Sequence, residues 1–117
     1  ISRFDEPTVA VDALIGYGVS GEVRSPAADY IAELDEFTDP VVSLDVPSGL
    51  DATTGETHGI RVHPDRTVTL ALPKTGLSTV AEALYLADIG IPATVYERLN
   101  IEYEPPFAEA DWIELAA

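Results

Sequence analysis

Apolar residues occur along this chain in short runs that are separated by glycine, proline and acidic residues. Two runs, 8–15 and 41–46, are rich in β-branched residues and almost continuously apolar, as parallel strands covered on both faces tend to be. Between them, apolar residues in 27–34 recur at spacings of three and four, after a helix-start signal at Ser25 and Pro26. The pattern predicts a strand, a helix and a second strand that is parallel to the first.

The second half of the chain also alternates between strand and helix patterns. β-branched residues alternate with others in 66–72, which predicts a further strand. The remaining predictions are a short strand or loose ribbon at 59–64, a helix at 78–85 that Ser78 caps, a strand at 86–91, a helical turn at 92–99, an irregular segment at 102–108 and a late edge strand at 112–115. Strands that alternate with helices predict a doubly wound, three-layer α/β fold.

Length and composition indicate a single small globular domain. The chain has 117 residues, of which 46% are hydrophobic, so it can bury a core and is not expected to be disordered. It contains no cysteine, hence no disulfide and no thiolate chemistry, and it has no apolar run long enough to span a membrane. The first residues do not resemble a secretory signal. We therefore expect a cytoplasmic protein with no membrane partner.

The formal net charge of −15 is large for a chain of this size. Such a surface repels nucleic acid, so no nucleic-acid partner is expected. The acidic residues are dispersed and Lys74 is the only lysine, which together favour adaptation to high salt, where ions screen the self-repulsion of the surface. We predict a halophilic protein, with a basic partner as the alternative.

Polar side chains occur where two of the predicted strands end. Asp12 lies in the first strand, and Asp45 and Ser48 follow the second, at the sheet edge where open α/β proteins usually bind small molecules. If the strands are neighbours, these three side chains converge, and two carboxylates held close together raise a pKa or require a cation. The structural alternative is that Ser48 caps a turn and both acids accept backbone hydrogen bonds.

Three other features have both a functional and a structural interpretation. The glycine-rich loop at 16–21 could wrap a phosphate with its backbone amides, or it could be an ordinary tight turn. His58 and His63 lack a cysteine or histidine partner at metal-ligand spacing and are expected at the surface. Lys74 follows a strand end and could meet a phosphate, but a solvated side chain is the expectation.

Five blocks of this sequence together resemble the YjeF N-terminal domain, the NAD(P)HX epimerase family. The blocks are VDALIGYGVSG at 11–21, VSLDVPSGLDATTG at 42–55, TVTL at 67–70, PKTGL at 73–77 and ADIGIP at 87–92. They occur in the order of the family and span most of the chain, so the resemblance is specific.

The resemblance implies a Rossmann-like αβα fold with a mostly parallel sheet. It implies an isomerase of nicotinamide nucleotide repair that interconverts the R and S epimers of hydrated NADH and NADPH, here called NADHX and NADPHX. It also implies a potassium ion bound by Asp12 and Ser48, with Asp45 as the catalytic acid/base at the reacting end of the substrate. The residues that it places along the dinucleotide, together with Asp45, are Gly16, Tyr17, Gly18, Val19, Ser20, Gly21 and Glu22.

One motif of the family is not found in this sequence. The family has a Gly-Asn-Asn-Gly-Gly-Asp-Gly phosphate loop before the strand of Asp12, and that loop supplies a potassium ligand and dinucleotide contacts. We therefore predict that residues 1–117 are the C-terminal two thirds of a single, N-terminally truncated domain. Two further possibilities follow. The chain could be a non-catalytic remnant that binds a nucleotide or a protein, or it could form a homo-oligomer through a sheet edge that the truncation exposes.

Overall fold

The computed structural model describes residues 9–18, 21–80 and 83–116. The predicted lead-in loop at 1–7, the start of the first predicted strand, and Val19 and Ser20 lie outside these residues. The described helices are α1 (Ala27–Asp35) and α2 (Ala93–Arg98), with a 3₁₀ turn at Thr75–Thr79. None of the helices in this part of the chain is long and apolar enough to cross a membrane.

One sheet contains all five described strands, in the order in which they occur along the chain. The strands are β1 (Ala10–Asp12), β2 (Val41–Leu44), β3 (Arg66–Leu70), β4 (Ala83–Ala87) and β5 (Trp112–Ala116). The first four run parallel, and β5 runs antiparallel to β4. Helix α1 connects β1 to β2, so the predicted strand, helix and parallel strand are confirmed. The result is the predicted Rossmann-like α/β fold with a mostly parallel sheet.

Helix α1 packs on the sheet and forms one of two hydrophobic core clusters. Its buried residues Ile31 and Leu34 pack in one cluster with Ala10 of β1 and Val41 of β2, together with Val62 from the loop that follows β2. This is the apolar helix face that the spacing predicts, and burial of each large aliphatic side chain contributes about 1.5–3 kcal/mol. The second cluster joins the segments that follow β2 and β3 to strand β4 and contains Val46, Leu50, Ala52, Leu77, Val80 and Leu84.

The helix predicted at 78–85 is wrong. The segment contains the end of the 3₁₀ turn and then β4, which begins at Ala83, so the strand predicted at 86–91 also begins three residues too late. In β4 the buried residues Leu84 and Leu86 alternate with half-buried neighbours, and the strand pairs with β3 on one side and β5 on the other. Pairing on both sides outweighs the local helix preference of alanine and leucine.

Two smaller differences concern the start of α1 and the segment at 59–64. Pro26, rather than Ser25, is the N-cap of α1, and the Ser25 hydroxyl donates to the Asp29 carboxylate instead. The segment 59–64 contains no strand, although Thr57 forms an isolated bridge with Leu50. The predictions for 92–99, 102–108 and 112–115 are confirmed by α2, by an irregular segment and by β5.

The sheet positions the candidate site residues through the shared direction of its first three strands. Asp12, Leu44 and Leu70 are the last residues of β1, β2 and β3. Because these strands are parallel neighbours, their carboxyl ends meet at one edge, where open α/β sheets bind ligands. The segments that leave this edge therefore carry the residues on which the site depends.

Candidate functional site

The Asp12 carboxylate is fully buried at the end of β1. Its Oδ2 accepts hydrogen bonds from the Ser43 hydroxyl at 2.6 Å and from the Ser48 backbone N–H at 2.9 Å. Its Oδ1 accepts from the Ser48 hydroxyl at 2.5 Å. All of these donors are neutral, and no basic side chain in the described part of the chain forms an ion pair with Asp12. The arrangement satisfies the oxygens of Asp12 with neutral donors only.

The Ser48 hydroxyl connects Asp12 to the segment that follows β1. Its oxygen accepts a hydrogen bond from the Ile15 backbone N–H at 2.9 Å and lies 3.2 Å from the Ile15 carbonyl oxygen. A hydroxyl has a single hydrogen, so it donates to Asp12 or to Ile15 at any moment. Ser48 is completely buried, so the contacts of its hydroxyl are not shared with bulk water.

Gly49 explains why the Ser48 loop has its shape. Its φ of +97° lies in the region that L side chains rarely adopt, and a Cβ there would lie 2.2 Å from the Ile60 carbonyl oxygen. Glycine therefore allows the loop to pass directly over the segment at 60–61. The position of Ser48 is fixed by this close backbone packing.

Asp45 follows β2 directly and has a φ of +69°, where the strand ends. Its backbone N–H still donates to the Val68 carbonyl of β3 at 2.7 Å, so the residue is anchored to the sheet. Its Oδ1 accepts from the Lys74 ammonium at 2.7 Å and from the Leu70 N–H at 3.3 Å. Its Oδ2 accepts from the Tyr17 N–H at 3.3 Å. Aspartate tolerates this left-handed backbone better than most residues, and such outliers cluster at functional sites.

The charge of Lys74 controls the ionisation of Asp45. Burial by itself raises the pKa of Asp45, but the hydrogen bond and charge of Lys74, with the N–H groups of Leu70 and Tyr17, outweigh it and hold the pKa below its ordinary value. At neutral pH Asp45 is therefore a carboxylate. An ionised carboxylate at a strand end can accept a proton from a bound substrate.

The prediction that Lys74 is solvated is wrong. Only 14% of its side chain is exposed, and its ammonium contacts the Thr69 hydroxyl at 3.0 Å and the Leu70 carbonyl at 2.7 Å besides Asp45. Sequence reasoning missed the roles of Lys74, Thr69 and Ser43. The available signal was a lone lysine directly after a strand end in a strongly acidic chain.

The predicted dinucleotide loop lies beside the Asp45 carboxylate. Tyr17 is 70% exposed and connects the loop to Asp45 through its backbone N–H. Gly18, Gly21 and Glu22 line a surface cavity of about 310 Å³ with neighbouring residues. A larger cavity, of about 690 Å³, is lined by Glu97, Asn100, Ile101, Glu102, Tyr103 and Glu104. It contains none of the site residues, and its three glutamates disfavour a phosphate ligand.

The histidines lie at the surface, as predicted. The side chains of His58 and His63 are 45% and 55% exposed and pair with Glu56 and Asp35. Among the described residues no group of three histidine, cysteine or acidic side chains could hold a metal ion. A potassium ion has different needs, because it binds carbonyl and hydroxyl oxygens as well as carboxylates. The Ser48 hydroxyl oxygen lies within hydrogen-bond distance of oxygens of Asp12 and Ile15, and these three oxygens are of the kinds that such an ion binds.

The fold and these contacts define a class of protein: a Rossmann-like domain with a candidate small-molecule site at the carboxyl ends of its parallel strands. The chain belongs to the family described as YjeF-related protein N-terminus, whose model matches residues 1–76. That match contains Asp12, Asp45, Ser48 and Lys74.

Relatives and a solved structure agree with this family. An NAD(P)H-hydrate epimerase from Dehalogenimonas lykanthroporepellens is 41% identical over 96% of this chain and 46% of its own length. A bifunctional NAD(P)H-hydrate repair enzyme from Salinibacter ruber is 41% identical over 79% of this chain and 18% of its own. The crystal structure of yeast ynu0, YNL200c, superimposes with a TM-score of 0.77 and 26% identity over 92% of this chain and 46% of that one. The chain thus spans about half the length of the epimerase relative.

Proposed function

We propose that this chain carries the catalytic and cation-binding part of an NAD(P)H-hydrate epimerase. The observation that carries the proposal is the pair of carboxyl groups at the strand ends, one buried among neutral hydrogen-bond donors and the other held ionised by Lys74. Family membership and the named epimerase relatives support the same reaction. The substrates are then NADHX and NADPHX, and the class of enzyme is an isomerase.

The chemistry requires one proton to be moved and returned. The carbon that inverts in the substrate bears a hydroxyl group and the ring nitrogen. The Asp45 carboxylate accepts the hydroxyl proton, the O–H electron pair forms a carbonyl, and the C–N bond opens with its electrons returning to nitrogen. Asp45 then gives the proton to that nitrogen, and re-addition of the nitrogen to the other face of the carbonyl reverses each step. No atom is gained or lost, so a single positioned carboxylate suffices.

The oxygens of Asp12, Ser48 and Ile15 would hold a potassium ion. Such an ion, when bound, supplies a fixed positive charge near the anionic dinucleotide. The residues themselves also join the end of β1 to the Ser48 loop, and they thereby fix where the loop at 16–22 begins. That loop, which includes Gly16, Gly18, Gly21 and Glu22, lines the dinucleotide in this proposal.

An NMR assay of epimer exchange tests the proposal. A sample enriched in one epimer of NADHX is incubated with the chain in potassium chloride or in sodium chloride at equal ionic strength. The proposal predicts relaxation to the epimer equilibrium that is faster than the spontaneous rate, and faster in potassium than in sodium. Spontaneous exchange alone in both salts would contradict it.

A second candidate function is a non-catalytic module that binds a nucleotide or a protein. The observation that favours it is that the surface cavity lined in part by Gly18, Gly21 and Glu22 does not include Asp45. Calorimetric titration with NADHX, together with the exchange assay, discriminates between a nucleotide-binding module and the epimerase. Binding without accelerated exchange supports the module, whereas accelerated exchange supports the epimerase.

The β1 edge of the sheet supports the proposal that two copies of this chain associate. Among the described strands β1 lies at one edge of the sheet, and Val9 and Val11 are 47% and 62% exposed. Exposed apolar edge strands tend to pair with another chain, so we expect a second copy to pair there. Light scattering of the wild type and of Val11→Glu tests this, since the wild type should be a dimer and the variant a monomer. A monomeric wild type would contradict it.

A further inference from the structure

The three hydrogens of the Lys74 ammonium are all used within the protein. An ammonium group has three donors and no acceptor. Its three partners are Asp45 Oδ1 at 2.7 Å, Thr69 Oγ1 at 3.0 Å and the Leu70 carbonyl oxygen at 2.7 Å. No donor is left for a phosphate or another substrate group. Lys74 therefore acts on the substrate only through a residue that it holds.

The backbone around Lys74 explains how it reaches this position. Ala71, just after β3, has a φ of +63°, and the Leu72 N–H donates to the Leu70 carbonyl at 2.7 Å, so the chain turns sharply there. Lys74 precedes the 3₁₀ turn with an extended backbone. The side chain thus returns over the end of β3, and its charged head lies at the strand end rather than in solvent.

The two oxygens of Asp45 differ in their surroundings. Oδ1 accepts from Lys74 and, at longer distances of 3.3 and 3.4 Å, from the Leu70 N–H and the Thr69 hydroxyl. Among the described residues, Oδ2 has one donor, the Tyr17 N–H at 3.3 Å. A carboxylate oxygen can accept more than one hydrogen bond, so Oδ2 retains capacity where Oδ1 is saturated.

Gly16 leaves the approach to Oδ2 open. A Cβ at this position would lie 3.3 Å from Asp45 Oδ2, tighter than most contacts of real Cβ atoms. Gly16 is also the first residue of the loop proposed to line the dinucleotide. Any larger side chain there would occupy the space beside the oxygen that has a free acceptor site.

We propose that Lys74 is a positioning residue that clamps Asp45 through Oδ1, so that Oδ2, beside Gly16, is the oxygen that takes and returns the substrate proton. The inference rests on the proposed epimerase function for its catalytic part. The clamp itself is a property of the protein without substrate.

A kinetic comparison tests the catalytic part. The variants are Lys74→Met, Lys74→Arg and, as a control that removes one positive charge from the exposed end of α2, Arg98→Met. We expect Lys74→Met to lower kcat for NADHX exchange by about 100-fold, because misplacement of a reacting group by an ångström has that effect, with KM changed less than about threefold. Lys74→Arg should recover part of the loss, since its planar fork keeps the charge but not the tetrahedral donors. Arg98→Met should match the wild type.

A spectroscopic measurement tests the clamp without any activity. Because Lys74 is the only lysine, ¹⁵N-lysine labelling produces a single side-chain ammonium signal. An ammonium group held by three acceptors exchanges its protons slowly, so this signal should be observable in the wild type and in Gly16→Ala. Asp45→Asn removes one charged acceptor and should shift or broaden the signal. Gly16→Ala should nevertheless lower kcat, because its methyl group crowds Oδ2.

The outcomes separate the two claims. An unchanged kcat in Lys74→Met, or equal losses in Lys74→Met and Arg98→Met, would overturn the positioning role while leaving the epimerase function intact. A lysine signal that is the same in the wild type and Asp45→Asn would overturn the clamp. A wild type without accelerated exchange would overturn the proposed function, and the catalytic part of this inference with it.

Discussion

Replacement of Ser48 by alanine is the perturbation that tests the architecture of the site most sharply. The change removes the hydroxyl that donates to Asp12 Oδ1 at 2.5 Å and accepts from the Ile15 N–H at 2.9 Å. It leaves the Ser48 backbone N–H and the Ser43 hydroxyl in place on Oδ2. The loss is therefore confined to two hydrogen bonds in a fully buried position.

The magnitude of the loss follows from these contacts. A hydrogen bond to a charged group contributes about 1.5–3 kcal/mol, and a buried N–H left without an acceptor costs about 1–3 kcal/mol. The free energy of unfolding should fall by about 2.5–6 kcal/mol, a large part of the roughly 5–15 kcal/mol that is typical of a domain. Ser78→Ala is the matched control, because its exposed hydroxyl donates only to the Thr75 carbonyl, and we expect a change within about 1 kcal/mol.

Urea unfolding followed by circular dichroism measures both variants. Ser48→Ala should lower the midpoint strongly with an unchanged slope, which indicates lost stability rather than an altered denatured state. If Ser48→Ala and Ser78→Ala have the same midpoint, the Ser48 hydroxyl does not hold the buried carboxylate. The proposed cation-binding role of the Asp12 and Ser48 pair would then lose its structural basis.

Three further perturbations have expected outcomes. Gly49→Ala should destabilise the chain by about 3 kcal/mol or more, because φ is positive there and the new Cβ meets the Ile60 carbonyl. Gly18→Ala also has a positive φ but nothing near its Cβ, so it should cost about 1–2 kcal/mol in the same urea assay, and equal losses would refute the steric argument. Lys74 lowers the pKa of Asp45 from 3.8, so the stability that this carboxylate contributes is present above that pH and is lost as pH falls through the lower folded-state pKa. Between about pH 5 and 2 the free energy of unfolding should therefore fall less steeply for Asp45→Asn than for the wild type, and equal slopes would contradict this. The thermal midpoint should rise between about 0.1 and 1 M salt, because the Debye length shortens from about 10 to 3 Å and screens a net charge of −15; a constant or falling midpoint would argue against the high-salt prediction.

The strand ends could be predicted because local patterns determine them. Two short β-branched runs with a helical pattern between them require a parallel pair, and Asp12 and Ser48 then lie at one edge of the sheet. The structure brings these two side chains into contact. Asp45 contacts Tyr17 and Lys74 instead, so its partner is a lysine and not the second carboxylate.

The partners of the site could not be predicted because they are distant in sequence. Lys74 lies 29 residues from Asp45, and Ser43 lies 31 residues from Asp12. Their contacts depend on the strand register and on the turn at Ala71, which no local pattern specifies. The helix predicted at 78–85 failed for a related reason, since the pairing of β4 with β3 and β5 is a tertiary effect.

Several predictions rest on composition or resemblance alone and stay predictions. They are the cytoplasmic location, the halophilic adaptation, the absence of a nucleic-acid partner, the truncation to two thirds of a domain and the bound potassium ion. The match covers 46% of the epimerase relative, and this coverage does not test the predicted truncation.

Epimer exchange by the wild type and by Asp45→Asn tests the central claim most directly. Asp39→Asn is the matched control, because it removes a carboxylate from an exposed position outside the site. NMR follows the relaxation of one enriched epimer of NADHX in potassium chloride, with circular dichroism to establish that each variant is folded. We predict accelerated exchange by the wild type and Asp39→Asn and only the spontaneous rate with folded Asp45→Asn. Equal acceleration by Asp45→Asn and the wild type would contradict the assignment of Asp45 as the proton carrier.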